Sequence, residues 1–154
     1  DRIKEYLKKE GVEHALINLG GNILCLGDKP EGTAFRIGVQ KPFGEATETL
    51  TICPIEDQSL VSSGTYERFF RKDGRLYHHI LNPKTGYPYE SELCDVTIIS
   101  HESTTGDCLS TTCFVLGADK GMELIESLDG IEAIFMKNDG TKLYSSYASS
   151  YVQK

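Results

Sequence analysis

Four short stretches of this chain gather hydroxyls, carboxylates, imidazoles and glycines at spacings that can carry chemistry. In Gly106-Asp107-Cys108-Leu109-Ser110-Thr111-Thr112, Asp107 and Thr111 lie four apart and share one face of a helical turn, with Ser110 beside them. A carboxylate and two hydroxyls are hard oxygen ligands. They suit a magnesium ion, which keeps several waters and binds substrate phosphate. The same residues also suit a plainer task, in which Asp107 complements the helix dipole and the hydroxyls cap locally.

The stretch from His78 to Pro88 begins with two histidines. Strand alternation sends His78 and His79 to opposite faces, so they do not share a metal. One of them can point into a site, to move a proton or to touch phosphate. The loop that follows, Asn82-Pro83-Lys84-Thr85-Gly86-Tyr87-Pro88, has its path restricted by two prolines and a glycine. In Ser62-Ser63-Gly64-Thr65-Tyr66-Glu67-Arg68, small hydroxyl residues precede Tyr and Arg, a set able to bind a polar aromatic ligand or simply to turn the chain before a strand. In Asn18-Leu19-Gly20-Gly21-Asn22, paired glycines let a ligand or another backbone come close, and they equally suit a tight hairpin turn. Asn22 adds one acceptor and two donors. The chain contains no Walker loop, G-x-G-x-x-G, H-E-x-x-H or G-x-S-x-G.

The elements that must position these residues can be read from periodicity. Ile3, Tyr6 and Leu7 recur at helical spacing and Gly11 serves as a stop. Extended segments are expected over 14–19, 23–26, 34–39, 47–55 and 59–63. A hairpin over 66–71 and 75–79 turns at Lys72-Asp73-Gly74. A strand over 95–100 precedes a helix to Leu116, opened by a capping-box-like Thr104 and Asp107. A second helix over 119–128 carries Leu124, Ile125 and Leu128 on one face. A closing hairpin over 131–136 and 142–145 turns at Asn138-Asp139-Gly140. Strands and helices do not alternate regularly, so the expected class is α+β, with a mostly antiparallel sheet and packed helices in one domain.

Composition narrows the function. The 154 residues are 39% apolar and 25% charged, with a net charge of −7. A chain of this size buries roughly 68–70% of its unfolded surface and needs no staple. Its negative field disfavours nucleic acid and anionic lipid surfaces. A phosphate ligand must then be held by local devices: a metal, backbone N–H groups or a helix N-terminus. The five cysteines include no C-x-x-C pair, which argues against structural zinc. Cys25, Cys53 and Cys113 sit in apolar runs and read as small core residues. No apolar stretch approaches the roughly 20 residues of a membrane span, and no signal peptide is evident.

The four motifs, in this order, resemble those of the ApbE family of FAD:protein FMN transferases. The stretches concerned are 15–23, 63–68, 79–86 and 107–111, so the resemblance spans nearly the whole chain. It implies an α+β fold with a T-fold-like element, FAD as donor and a client flavoprotein whose threonine accepts FMN while AMP leaves. It further implies that Asp107 and Thr111, with Ser110 as a third group, hold magnesium against the FAD pyrophosphate. His79 and Ile80 would lie along the flavin phosphate, with His79 taking the hydroxyl proton or placing the phosphate. Gly20, Gly21, Asn22, Ser63, Tyr66 and Thr85 complete the implied cofactor-binding set. Cys108 stands where the family has a small residue. The family is about twice this length, so residues 1–154 are expected to be its C-terminal part. The preceding part, with an Ala-Lys-Gly-Tyr segment that gives the metal a backbone oxygen and with residues that stack on the flavin, is then absent. Family precedent implies an extracytoplasmic lipoprotein anchored upstream, with the cytoplasm as the alternative. A magnesium-dependent FAD pyrophosphatase and a non-catalytic FAD-binding module are the competing functions.

Overall fold

A strand of sequence Leu-Cys-Asp-Val-Thr-Ile-Ile-Ser, buried along its whole length, is the centre of the fold. The structure is a computed structural model and describes residues 1–45 and 47–152. The chain opens with helix α1 (Arg2–Lys9) and the hairpin of β1 (Ala15–Asn18) and β2 (Asn22–Leu26). A ribbon of β3 (Phe35–Gln40) and β4 (Thr49–Ile55) follows, then β5 (Ser59–Gly64). A second ribbon, β6 (Phe69–Lys72) and β7 (Arg75–His78), leads to the buried strand, β8 (Leu93–Ser100). After it come α2 (Ser103–Leu116), α3 (Ala118–Glu126), β9 (Glu132–Lys137), β10 (Lys142–Tyr144) and a 3₁₀ turn over Ala148–Tyr151. Six strands form one antiparallel sheet in the order β1-β2-β5-β8-β9-β10, and the two ribbons are separate two-stranded sheets. The α+β class expected from the sequence is the one that forms.

Side chains of β8 alternate between two cores. Val96 and Ile98 pack with Cys113 and Phe114 of α2, Ile125 of α3 and Phe135 of β9. Ile99 faces the other way, among Cys25, Leu60, Ile134 and the ribbon residues Ile37, Val39, Cys53 and Ile55. Both faces of β8 are therefore covered, and each fully buried aliphatic side chain contributes about 1.5–3 kcal/mol. Cys25, Cys53 and Cys113 are buried free thiols, and burial pushes each of them up to about 11.

Helix α2 starts near the expected residue for a different physical reason. Thr104 and Asp107 form no capping box, and the N-cap residue Glu102 makes no side-chain bond to the helix. The cap comes from Asp1, 102 residues from Ser103. Its carboxylate accepts the Ser103 N–H at 2.8 Å, the Thr104 N–H at 3.0 Å and the Thr104 hydroxyl at 2.5 Å. A carboxylate on two otherwise orphaned N–H groups also lies at the positive end of the helix dipole. Asp1→Ala is expected to lower stability by about 1 kcal/mol, read as a fall in the urea midpoint. An unmoved midpoint would show that this cap contributes nothing.

Two smaller corrections concern element ends. Helix α3 stops at Glu126, so Leu128 lies beyond it and is exposed, while Ile125 alone of the expected stripe is fully buried. Strand β6 begins at Phe69, because Tyr66 turns inward. Among the described residues no helix is long and apolar enough to cross a membrane.

Candidate functional site

The β1–β2 turn is built by its glycines. Gly20 and Gly21 have φ of +71° and +88°, a region that side-chain-bearing residues rarely enter. Asn18 Oδ1 accepts the Gly20 N–H at 3.0 Å, and the Leu19 N–H donates to the Asn22 carbonyl at 2.9 Å. A Cβ on Gly21 would meet Glu67 Oε1 at 3.0 Å, so the missing side chain lets that carboxylate approach. The tight turn and the close approach are thus both present. Asn22 faces α2: its Oδ1 accepts the Ser103 hydroxyl at 2.5 Å, which ties the glycine turn to the first turn of that helix.

Consecutive serines on β5 point to opposite faces of the sheet. Ser63 Oγ lies 2.8 Å from Ser110 Oγ and 3.2 Å from Thr111 Oγ1, fastening the strand end to α2. Ser110 is completely buried and also donates to the Asp107 carbonyl at 3.1 Å. The three residues of the implied ligand set therefore differ in exposure. Ser110 holds helix to strand and has no face open to an ion. Asp107 and Thr111 are exposed one helical turn apart, and among the described residues the Asp107 carboxylate has no hydrogen-bond or ion-pair partner. No cluster of three or more His, Cys, Asp or Glu capable of holding a metal occurs among those residues. One free carboxylate beside a hydroxyl nevertheless fits magnesium, which commonly takes one or two carboxylates and fills its remaining positions with water and substrate phosphate.

Tyr66 is buried, and its ring walls a cleft of about 250 Å³ with Gly21, Gln40, Ser62 and Glu67. Through Gly21, Gln40, Tyr66 and Glu67 this cleft continues into a second of about 450 Å³ that includes Gly20 and Arg68. The Tyr66 hydroxyl faces inward and donates to Asp95 Oδ1 at 2.9 Å. Tyr66 therefore offers a ligand its ring and not its hydroxyl. A Cβ on Gly64 would overlap that ring, so glycine is required there for Tyr66 to fold back. Asp95 is fully buried, and desolvation pushes its carboxyl up to about 7 against the opposing hydrogen bonds from Thr97 and Tyr66.

The two histidines part as alternation requires. His78 is buried edge-on to Phe114 at 5.7 Å between ring centroids. Its Nδ1 accepts the Ile80 N–H at 3.3 Å and its Nε2 donates to the Tyr89 carbonyl at 3.1 Å; burial lowers its pKa. His79 is exposed and uncommitted among the described residues. The side chain of Ile80, implied as a ligand contact, packs in the core with Phe114 and Leu93. Thr85 sits on the self-bonded loop after β7, where its hydroxyl accepts the Tyr87 N–H at 3.3 Å. It lines a different cleft of about 490 Å³, with Asn82, Tyr87 and Arg75, which shares no residue with the Gly21–Tyr66 cleft.

The motif residues thus fall into three places. Gly20, Gly21 and Tyr66 wall one cleft, Ser63, Asp107 and Thr111 meet at α2, and Thr85 lines a second cleft. Asp95 and Thr97 lie outside the four motifs, while Ser62 opens the second of them. The signal of the first two was present: an Asp inside an apolar strand, two residues from a Thr on the same face, is a buried acid with a partner.

The sequence profile of the ApbE family matches residues 1–135. An FAD:protein FMN transferase of Klebsiella pneumoniae is 44% identical over 146 residues, covering 95% of this chain and 44% of the relative. A protein of the same name from Treponema pallidum is 37% identical, covering 90% of this chain and 41% of its own length. Among solved structures, the ApbE protein of Thermotoga maritima superposes with a TM-score of 0.87 at 28% identity, over 100% of this chain and 50% of that one. The flavin transferase ApbE of Vibrio cholerae gives 0.82 at 29% identity, over 99% of this chain and 48% of that one. The chain spans less than half the length of these curated relatives. By sequence and by fold, it belongs to the ApbE family.

Proposed function

We propose that this chain carries the part of an FAD:protein FMN transferase that grips the FAD pyrophosphate and moves FMN onto a threonine of a client flavoprotein. The observation that carries this is the face of α2 where Asp107, exposed and without a side-chain partner among the described residues, stands one turn from Thr111 beside the end of β5. In an acidic chain, that carboxylate repels phosphate unless a cation lies between them. Asp107 and Thr111 are the residues that would hold magnesium, which when bound neutralises charge on the pyrophosphate oxygens.

The residues then divide the work. The threonine oxygen attacks the phosphorus on the FMN side, the bond to the AMP oxygen breaks, and AMP leaves with the electron pair. His79, exposed and without a hydrogen-bond partner among the described residues, is our candidate for taking the hydroxyl proton or placing the phosphate. Ser63 and Ser110 keep the α2 face in register with β5. The glycine turn and the Tyr66 ring bound the cleft on the opposite face of β5, where Ser62 points.

The test is the intact mass of a threonine-bearing client after incubation with the full-length protein, FAD and magnesium. A gain of one FMN, stopped by chelator, is the expected result. A competent client left unmodified would sink the proposal. AMP and free FMN appearing without any client would replace transfer with hydrolysis.

A further inference from the structure

Beneath the Gly21–Tyr66 cleft, hydrogen bonds join a sealed acid to the cleft surface. Asp95 is fully buried, and besides the bond from Tyr66 its Oδ2 accepts the Thr97 hydroxyl at 2.9 Å. Thr97 Oγ1 lies 2.9 Å from Ser62 Oγ, its register partner across β5 and β8. Ser62 is half-buried and lines the cleft with Gly21, Gln40 and Glu67. We infer that Asp95 acts through Thr97 to decide whether Ser62 offers the cleft a donor or an acceptor, and so sets its preference for an acceptor oxygen of FAD. The ligand in this inference rests on the function proposed above.

The reason is a count of hydrogens. Each hydroxyl has one to give. When Asp95 is ionised, Thr97 must donate to Oδ2, Ser62 donates to Thr97, and only lone pairs of Ser62 face the cleft. When Oδ2 takes a proton from solvent, Asp95 donates to Thr97 and Thr97 turns its hydrogen to Ser62. The Ser62 hydrogen is then free for a phosphate or flavin oxygen. Tyr66 donates to Oδ1 in both states, so the cleft wall stays where it is. Two hydroxyl rotations make the change, with no heavy atom displaced.

The groups around Asp95 support such a switch. Glu67, beyond Tyr66, favours the protonated acid, as burial does. Cys94, its neighbour on β8, is pushed up to about 11 by burial, and Tyr66 is raised by burial and by Asp95, so both stay neutral. The register partners of Asp95 are Gly64 on β5 and Met136 on β9, neither of them charged. With its carboxyl held near 7, Asp95 exchanges its proton close to neutrality.

The experiment is titration of the chain with FAD and magnesium at a series of pH values around neutrality. Wild type is expected to lose about five- to tenfold in affinity as pH rises, the effect of one hydrogen bond. Asp95→Asn, whose amide always donates, should keep the low-pH affinity throughout. Ser62→Ala keeps the buried pair intact and removes only the cleft hydroxyl, so its binding should be weak and lack that step. Thr97→Val breaks the relay and leaves the Ser62 hydrogen nothing to bond inside, so it should also lack the step but keep the low-pH affinity. Any histidine contribution persists in Ser62→Ala and cancels in the difference. A step of full size surviving in Ser62→Ala, or no step in wild type, would overturn the relay while leaving FAD binding intact. No FAD binding by wild type at any pH would overturn both the ligand assignment and the inference.

Discussion

Asp107→Ala is expected to lower FMN transfer by about a hundredfold or more, and to raise the magnesium concentration needed for half-maximal rate. Removing a metal-holding carboxylate costs several kcal/mol of transition-state stabilisation, and each 1.4 kcal/mol is about tenfold in rate. The loss should be large because, among the described residues, no cluster of three or more His, Cys, Asp or Glu able to hold a metal stands by to take its place. It should also be specific. The Asp107 side chain has no packing or hydrogen-bonding duty among those residues, so the variant should unfold at the wild-type urea midpoint. Ser110→Ala should behave in the opposite way. Its hydroxyl is sealed between Ser63 and the Asp107 carbonyl, so its loss touches stability by about 1 kcal/mol and leaves the magnesium dependence in place. Wild-type rate and magnesium dependence in Asp107→Ala would remove this carboxylate from the chemistry.

The contrast between Asp107 and Ser110 also marks how far the sequence could be read. Spacing placed Asp107, Ser110 and Thr111 on neighbouring parts of one turn, and that arrangement holds. Which of them faces solvent depends on how α2 lies on β5, a tertiary fact that periodicity within 14 residues does not contain. Ser62 and Ser63 show the same limit: alternation says that they part, and the sheet register decides which one meets α2. The strands were legible because apolar residues alternate within them, as Ile37 and Val39 do in β3. The separation of the strands into one sheet and two ribbons was not, since pairing is a choice among distant segments. The cap of α2 illustrates the point most sharply. A local pattern at Thr104 and Asp107 offered a sufficient explanation, yet the carboxylate that performs the task is Asp1. Local motifs told where a helix begins, and long-range hydrogen bonds told why.

Asp95 gives the second large effect, on stability as a function of pH. Its carboxyl is raised from an ordinary value of 3.8 to about 7 in the folded chain. Below 3.8 it is protonated whether the chain is folded or not, and its full stabilising share is present. As pH climbs toward 7, the unfolded chain gives up this proton while the folded one keeps it, so stability falls. Above about 7 both forms are ionised and the slope ends. One proton accounts for at most about 1.4 kcal/mol per pH unit. His78 works against this trend, because its lowered pKa makes the folded state gain as pH rises toward 6.5. The lowered carboxylates Asp57, Glu92 and Asp139 lose their shares only below their ordinary values and leave the window clear. The informative quantity is therefore the difference between wild type and Asp95→Asn in urea midpoints from about pH 5 to about pH 7.5. The variant, which cannot ionise at that position, should gain on wild type steadily across this range. Parallel profiles would mean that Asp95 carries the same charge folded and unfolded, and the acid under the cleft would then be neither a reservoir of stability nor a switch.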